Sequence, residues 1–267
     1  MRLYIDSVKA GKVKRSLLNG VRFARNSAPF ALAALCALAA RAGDPAAPTE
    51  PAKAAPPARA TTKVYRLVQQ ESGPGITISI PYSLGTHDNR VSRATGEVRF
   101  DPDAPQAAAG TLRVTLDAVV SDSAERDCHM REALGLDYAH SRFPGEHVCA
   151  NNALPAGALA YPEIRLEVRS AQSPGLSELS VGKETPISLE ASWTLHGVTR
   201  PAVLRLTASR DAKTPGALRI RGTSPIRLPD FGVVVKSAKV LFATISVEDV
   251  ATVRFDLKLE PALEPAP

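Results

Sequence analysis

Residues 125–149 read ERDCHMREALGLDYAHSRFPGEHVC. They gather Cys128, Cys149, His129, His140, His147, Asp127 and Arg126 into one short stretch. Three chemistries suit such a set. The cysteines can form a disulfide, which requires an oxidising compartment. Cysteine, histidine and carboxylate can hold a metal, but there is no Cys-x-x-Cys pair and His140 stands alone, so the spacing matches no zinc pattern. Asp127 could orient His129 as a base, yet no Gly-x-Ser-x-Gly elbow or Ser-His-Asp ordering accompanies them. An Asp at a helix start more simply caps, or pairs with Arg126 or Arg131. We expect neither a metal nor a catalytic residue here, and a Cys128–Cys149 disulfide closing the loop.

The compartment is read from the N-terminal side. SAPFALAALCALAARA is a short apolar run behind Arg22 and Arg25, ending in Ala40-Arg41-Ala42. This predicts a secretory signal peptide over 1–42, with an effective start that could lie nearer Val21. Leu35 precedes Cys36, where a lipidation signal wants a small residue, so a lipoprotein is not expected. Removal of this segment leaves Cys128 and Cys149 as the cysteines that remain. The Pro- and Ala-rich stretch 43–62 cannot bury enough surface to offset its ordering entropy and reads as a spacer, as does the tail 261–267. One domain, 63–260, lies between them.

The net charge of +6 comes partly from the leader and spacer. In the domain, acidic and basic residues alternate along strands, and aromatics are 5% of the chain, which leaves no nucleic-acid footprint.

The elements that must carry the cluster are written in period two. Ile76, Ile78, Ile80, Tyr82 and Leu84 alternate with polar residues, as do Leu112, Val114 and Leu116. Ile164, Leu166 and Val168 repeat the pattern, then Ile187, Leu189, Ala191, Trp193 and Leu195, then Val253, Phe255, Leu257 and Leu259. Shorter alternations occur in EVRF, VLRLTAS and LRIR. Such alternation predicts half-buried antiparallel strands, closed as a barrel or stacked as a sandwich. Ser123 predicts a helix N-cap with Glu125 and Asp127 in the first turn, and Gly135 a stop. His196 precedes Gly197 at a turn and is expected to fix it. Pro201 is expected to open the next strand, and Asp230-Phe231-Gly232 to close another turn.

The order of motifs resembles the YceI-like family over Val64 to Glu260. The resemblance rests on Arg126-Asp127-x-His129-Met130, on Tyr161-Pro162 opening a strand, on Leu195-His196-Gly197-Val198-Thr199-Arg200-Pro201, and on Pro229-Asp230-Phe231-Gly232-Val233. It implies an all-β fold, an extended lipocalin-like antiparallel β-barrel of about eight strands with a short inserted helix and loop. Family members are described as periplasmic binders of long isoprenoid lipids, some connected with cytochrome b561-type membrane proteins or with stress responses, and no settled enzymatic activity accompanies them. SRFPGEHVCANNALPAGALA departs from the family pattern, and Cys128 and Cys149 are not signature residues.

Small interior side chains (Ala118, Ala191, Ala208) leave volume inside such a barrel, against the alternative of a core filled by Phe100, Trp193 and Phe255. The expected cavity lining is Ile78, Ile80, Tyr82, Val98, Phe100, Val114, Leu116, Leu166, Leu189, Trp193 and Phe255. Arg126, Asp127 and His129 are expected at the mouth, facing a polar head group. The expectation is a periplasmic, non-enzymatic carrier or reservoir for an isoprenoid or quinone-like lipid, with no other cofactor and no nucleic-acid partner. The alternative is a module docking on a membrane cytochrome.

Overall fold

The computed structural model describes residues 62–101, 104–137, 149–173, 179–233, 235, 238–240 and 243–262. The expected signal peptide, almost all of the spacer, His140 and His147 lie outside the described residues. The strands are β1 (Lys63–Leu67), β2 (Ile76–Tyr82), β3 (Gly85–Val91), β4 (Thr95–Phe100), β5 (Ala109–Thr115) and β6 (Val119–Val120). The helix α1 (Ala124–Gly135) follows, then β7 (Glu163–Gln172), β8 (Thr185–Leu195), β9 (Val198–Arg210) and β10 (Leu218–Arg227). A small hairpin, β11 (Ala238–Val240) and β12 (Ala243–Ile245), precedes β13 (Val250–Pro261).

Eight strands close an antiparallel barrel in the order β1-β4-β5-β7-β8-β9-β10-β13, with β13 returning to β1. Alternation is the cause. Leu204, Leu206 and Ala208 of β9 and Ala251, Val253 and Phe255 of β13 are buried at every second position, and Arg205 and Arg254 between them face water. The sheet then extends beyond the ring, because β2, β3 and β6 continue from β13. Near its C-terminal end β13 pairs with β1 (Leu259 opposite Leu67), and nearer its start it pairs with β2 (Phe255 opposite Ile76). Two bonds carry the wall across this change of partner: Asp256 N–H to Gly75 O at 2.7 Å and Val68 N–H to Lys258 O at 2.9 Å. Gly75 has φ +80°, and a Cβ there would run into the Asp256 carbonyl, so the crossing requires glycine. β13 also extends through Pro261, which lies opposite Tyr65, one residue into the expected tail.

A register shift between Val168 and Ser170 in β7 turns Ala171, rather than Ser170, into the core. β8 and β9 are joined by His196 and Gly197, both with positive φ (+50° and +73°), the two-residue hairpin geometry that matches strand twist. Pro201 stands within β9, opposite Ser192, and not at its start. Leu228–Phe231 form one tight helical turn that ends on Gly232 in the left-handed region, with Phe231 buried beneath.

Candidate functional site

The barrel interior holds three small apolar cavities in line. The upper one, about 50 Å³, is lined by Ile76, Ile78 and Ile80 of β2, by Val114, Trp193, Val253 and Phe255, and by Met130 and Leu134 of α1. The middle one, about 70 Å³, shares Leu112 and Phe255 with it and adds Leu67, Leu166 and Leu204. The lower one, also about 70 Å³, shares Val98, Val168, Leu189, Ile220 and Leu259 with the middle one and ends on Tyr65, Phe100 and Leu179. Together they mark a narrow apolar path along the barrel, interrupted by side chains.

Nine of the residues expected to line a cavity do so: Ile78, Ile80, Val98, Phe100, Val114, Leu166, Leu189, Trp193 and Phe255. Tyr82 and Leu116 line none of the three. Tyr82 stacks on His87, its ring parallel within 1° and centred 4.0 Å away. Leu116 lies in a tight turn that breaks the alternation after β5, and it is buried where α1 ends: a Cβ on Gly135 would come within 2.9 Å of it. Met130 and Leu134 were not among the residues expected to line the cavity. Their i, i+4 spacing is the signal that could have found them, since it places both on one helical face.

α1 closes the upper cavity, and its local chemistry explains how it is held. Ser123 is the N-cap, its Oγ accepting from Arg126 N–H at 3.4 Å. Asp127 is buried, and its Oδ1 accepts from Ser121 N–H (2.7 Å) and Ser121 Oγ–H (2.6 Å). Arg131 lies 3.9 Å from the same carboxylate and donates to Leu116 O at 3.2 Å. At the far end, Ala160 N–H (2.8 Å) and Tyr161 N–H (2.9 Å) both donate to Gly135 O. Gly135 is helical and has a spatial reason to be glycine, since a Cβ would lie 2.6 Å from Leu159. The disulfide between Cys128 and Cys149, with Cα atoms 5.9 Å apart, ties the extension to the buried face of α1.

The expected head-group residues do not converge. Asp127 turns to Ser121 and Arg131, Arg126 pairs with Asp122 and meets His87 Nδ1 at 3.1 Å, and His129 Nδ1 lies 3.3 Å from Glu132 Oε2. Asp127 and His129 therefore face different partners and form no acid–base dyad. Burial and then the Arg126 charge hold His87 below the ordinary histidine range. Among the described residues, His129, Glu132 and Cys149 place potential metal-ligand atoms within 4.8 Å of one another. The Cys149 sulfur is spent in the disulfide, so no thiolate completes that group.

His196 does more than fix its own hairpin. Its Nε2 lies 2.7 Å from Leu136 O and its Nδ1 3.2 Å from Phe231 O, joining the end of α1 to the turn after β10. A neutral ring donates to one of these carbonyls and an imidazolium to both. Tyr161 packs edge-on against the ring at 4.8 Å, and a Cβ on Gly197 would sit 2.5 Å from Tyr161. The Tyr161-Pro162 and Leu195-His196-Gly197 motifs thus meet at one joint.

A closed antiparallel barrel with an apolar axis and one capping helix defines a class of barrel proteins built around an interior rather than a surface cleft. Residues 65–259 match the YceI-like domain, and the chain belongs to that family. UPF0312 proteins of Pseudomonas savastanoi pv. phaseolicola and Pseudomonas syringae pv. syringae are 28% identical over 141 residues, 52% of this chain. The chain spans 59% of the length of these curated relatives. A polyisoprenoid binding domain from Saccharophagus degradans implicated in plant cell wall breakdown superposes with a TM-score of 0.51 at 16% identity, over 74% of this chain and 98% of that one. BcnA of Burkholderia cenocepacia has a TM-score of 0.44 at 11% identity, over 68% and 95%.

Proposed function

We propose that this protein holds a long apolar lipid, isoprenoid or quinone-like, along the barrel axis as a carrier or reservoir outside the cytoplasm. The observation that carries the reading is the line of three apolar cavities capped at one end by α1. Removing a chain from water contributes about 0.8 kcal/mol per buried methylene, so a long, thin ligand gains more from this path than a compact one. The cavities are narrow, and threading a chain through them requires the dividing side chains to change rotamer. Met130, unbranched and adaptable, stands at the capped end. The Saccharophagus neighbour described as polyisoprenoid binding supports the same reading. An extracytoplasmic location is supported by the disulfide and by the leader-like sequence over 1–42.

The reading needs no metal, no redox cofactor and no turnover. Exclusion of the chain from water is the whole mechanism, and Asp127 and Arg131 serve it by seating α1. Gentle purification followed by organic extraction and mass spectrometry is expected to release an apolar molecule in stoichiometric amount. Repeated preparations that release nothing, and that fail to take up an added polyprenyl alcohol, would overturn the reading.

A further inference from the structure

The Cys128–Cys149 disulfide lies against two groups that a simple tether does not require. Glu132, one helical turn after Cys128, is a carboxylate only 1% exposed. His129, with 39% of its side chain exposed, brings Nδ1 to 3.3 Å from Glu132 Oε2, and Cys149 Sγ lies 3.8 Å from the same oxygen. A glutamate is rarely taken out of water unless it is paired, and a cation pairs it best. Zinc binds sulfur at about 2.3 Å and nitrogen or oxygen at about 2.0–2.2 Å, in a tetrahedron. Those bond lengths make its nitrogen–oxygen edge about 3.3 Å and its sulfur–oxygen edge about 3.6 Å. Both observed separations fall within about 0.2 Å of these edges. The ligand atoms of His129, Glu132 and Cys149 all lie within 4.8 Å of one another, and the Cys128 sulfur is bonded to that of Cys149. Helical spacing explains the convergence: Cys128 and Glu132 are four residues apart, His129 and Glu132 three. The S–S bond itself is what keeps the two sulfurs from serving as ligands.

We infer that this tether has a second state: once the disulfide is reduced, Cys128, Cys149, His129 and Glu132 hold one zinc ion. A dithiol reductant delivers two electrons and two protons to the S–S bond, which breaks to two thiols, and the reductant leaves as its own disulfide. Zinc then displaces both thiol protons to solvent, so the ligands are two thiolates, a neutral imidazole and a carboxylate. The sulfurs must part to about 3.8 Å, the sulfur–sulfur edge of the tetrahedron. With Cα atoms 5.9 Å apart, side-chain rotation is enough to do this. Two thiolates and an imidazole select zinc over magnesium or calcium, which take oxygen ligands. The site does not depend on what the barrel holds. It keeps the extension fastened to α1 when the covalent link is lost.

The test uses the full chain carrying Cys36→Ser, so that Cys128 and Cys149 supply its only thiols. The protein is reduced with a phosphine, which yields the same two thiols and leaves as its oxide, because a dithiol would compete for the metal. Zinc uptake is measured against a chromophoric chelator, and cobalt(II) serves as a spectroscopic probe of the same site. The reduced protein is expected to take up one zinc per chain and the oxidised protein none. Cobalt is expected to show the visible bands of a tetrahedral ion together with a thiolate charge-transfer band. Glu132→Gln and His129→Ala are each expected to weaken zinc binding by more than about tenfold, since losing even a supporting residue costs that much. His129 is partly exposed, so its variant decides the question if the change at buried Glu132 unfolds the protein. No uptake after reduction, equal uptake by the oxidised protein, or parental affinity in His129→Ala would each overturn the four-ligand site. Displacement of zinc by excess magnesium would do the same.

Discussion

His87 illustrates how single side chains set the condition of the capped end. Burial and the adjacent Arg126 guanidinium disfavour its charged form, so the folded protein binds this proton less readily than the unfolded chain. The sign follows: the contribution of His87 to stability is complete above the ordinary histidine range and is lost as pH falls through the depressed folded value. His87→Gln is therefore expected to lose less thermal stability than the parent between about pH 7.5 and about pH 5. Equal losses in the two proteins would show that the pair does not couple to folding. Asp256 acts in the same direction but lower on the pH scale. Arg219 donates to both of its oxygens (2.6 and 2.8 Å) and Arg221 to one (3.0 Å), which holds the carboxyl below its usual range. Its contribution is lost only as pH falls below the carboxylate range, so a titration kept above about pH 5 separates His87 from Asp256.

At the scale of elements, α1 and its tether form one unit. Cys128 is on the helix, Cys149 begins the described part of the extension, and Ala160 and Tyr161 return to the helix end. Closing a loop of 21 residues' separation constrains the unfolded chain by about 3 kcal/mol. The double substitution Cys128→Ser and Cys149→Ser is expected to lower unfolding free energy by roughly that amount in a denaturant titration, with a slope that rises because the released unfolded chain exposes more surface. A change within error would mean that the extension gains nothing from being tied. The helix boundaries were legible from Ser123, Glu125 and Asp127, because capping is local chemistry. The docking face was not, because Met130 and Leu134 share their helix with the buried Cys128, Asp127 and Glu132, so no clean apolar stripe marks it. β3 was missed for a similar reason. Its inward position 89 is an asparagine, buried and donating to Ile78 O at 3.2 Å, where alternation calls for an apolar residue. The shift in β7 depends on pairing with β8, which no local pattern encodes.

For the whole molecule, the barrel and its interior were readable because period-two alternation states directly which side chains share a face. Ile78, Val114, Trp193 and Phe255 follow that rule into the upper cavity, whereas Leu116 leaves it where the strand turns. The mouth was harder. Arg126, Asp127 and His129 are close in sequence, but at about 100° per residue a helix turns Asp127 away from both of the others, and all three meet separate partners. Native-state hydrogen exchange tests the architecture as a unit. β13, bonded to β10 along one edge and to β1 and β2 along the other, is expected to be among the slowest segments to exchange, and the β11–β12 hairpin, whose pairing stands outside the main sheet, among the fastest. Exchange of β13 as rapid as that of the hairpin would contradict closure through this strand.

The position of β13 in the chain also has a consequence for how the protein is born. The strand that closes the ring follows the other described strands, so until residues 250–261 emerge the ring cannot close. β10 on one side, and β1 and β2 on the other, then stand with unsatisfied edges, a state that invites association with other chains. Closure waits for contacts between the two ends of the domain, Tyr65 with Pro261 among them, the long-range pairing that makes folding slow. The most aggregation-prone moment in the life of this barrel is thus the interval just before its last strand arrives.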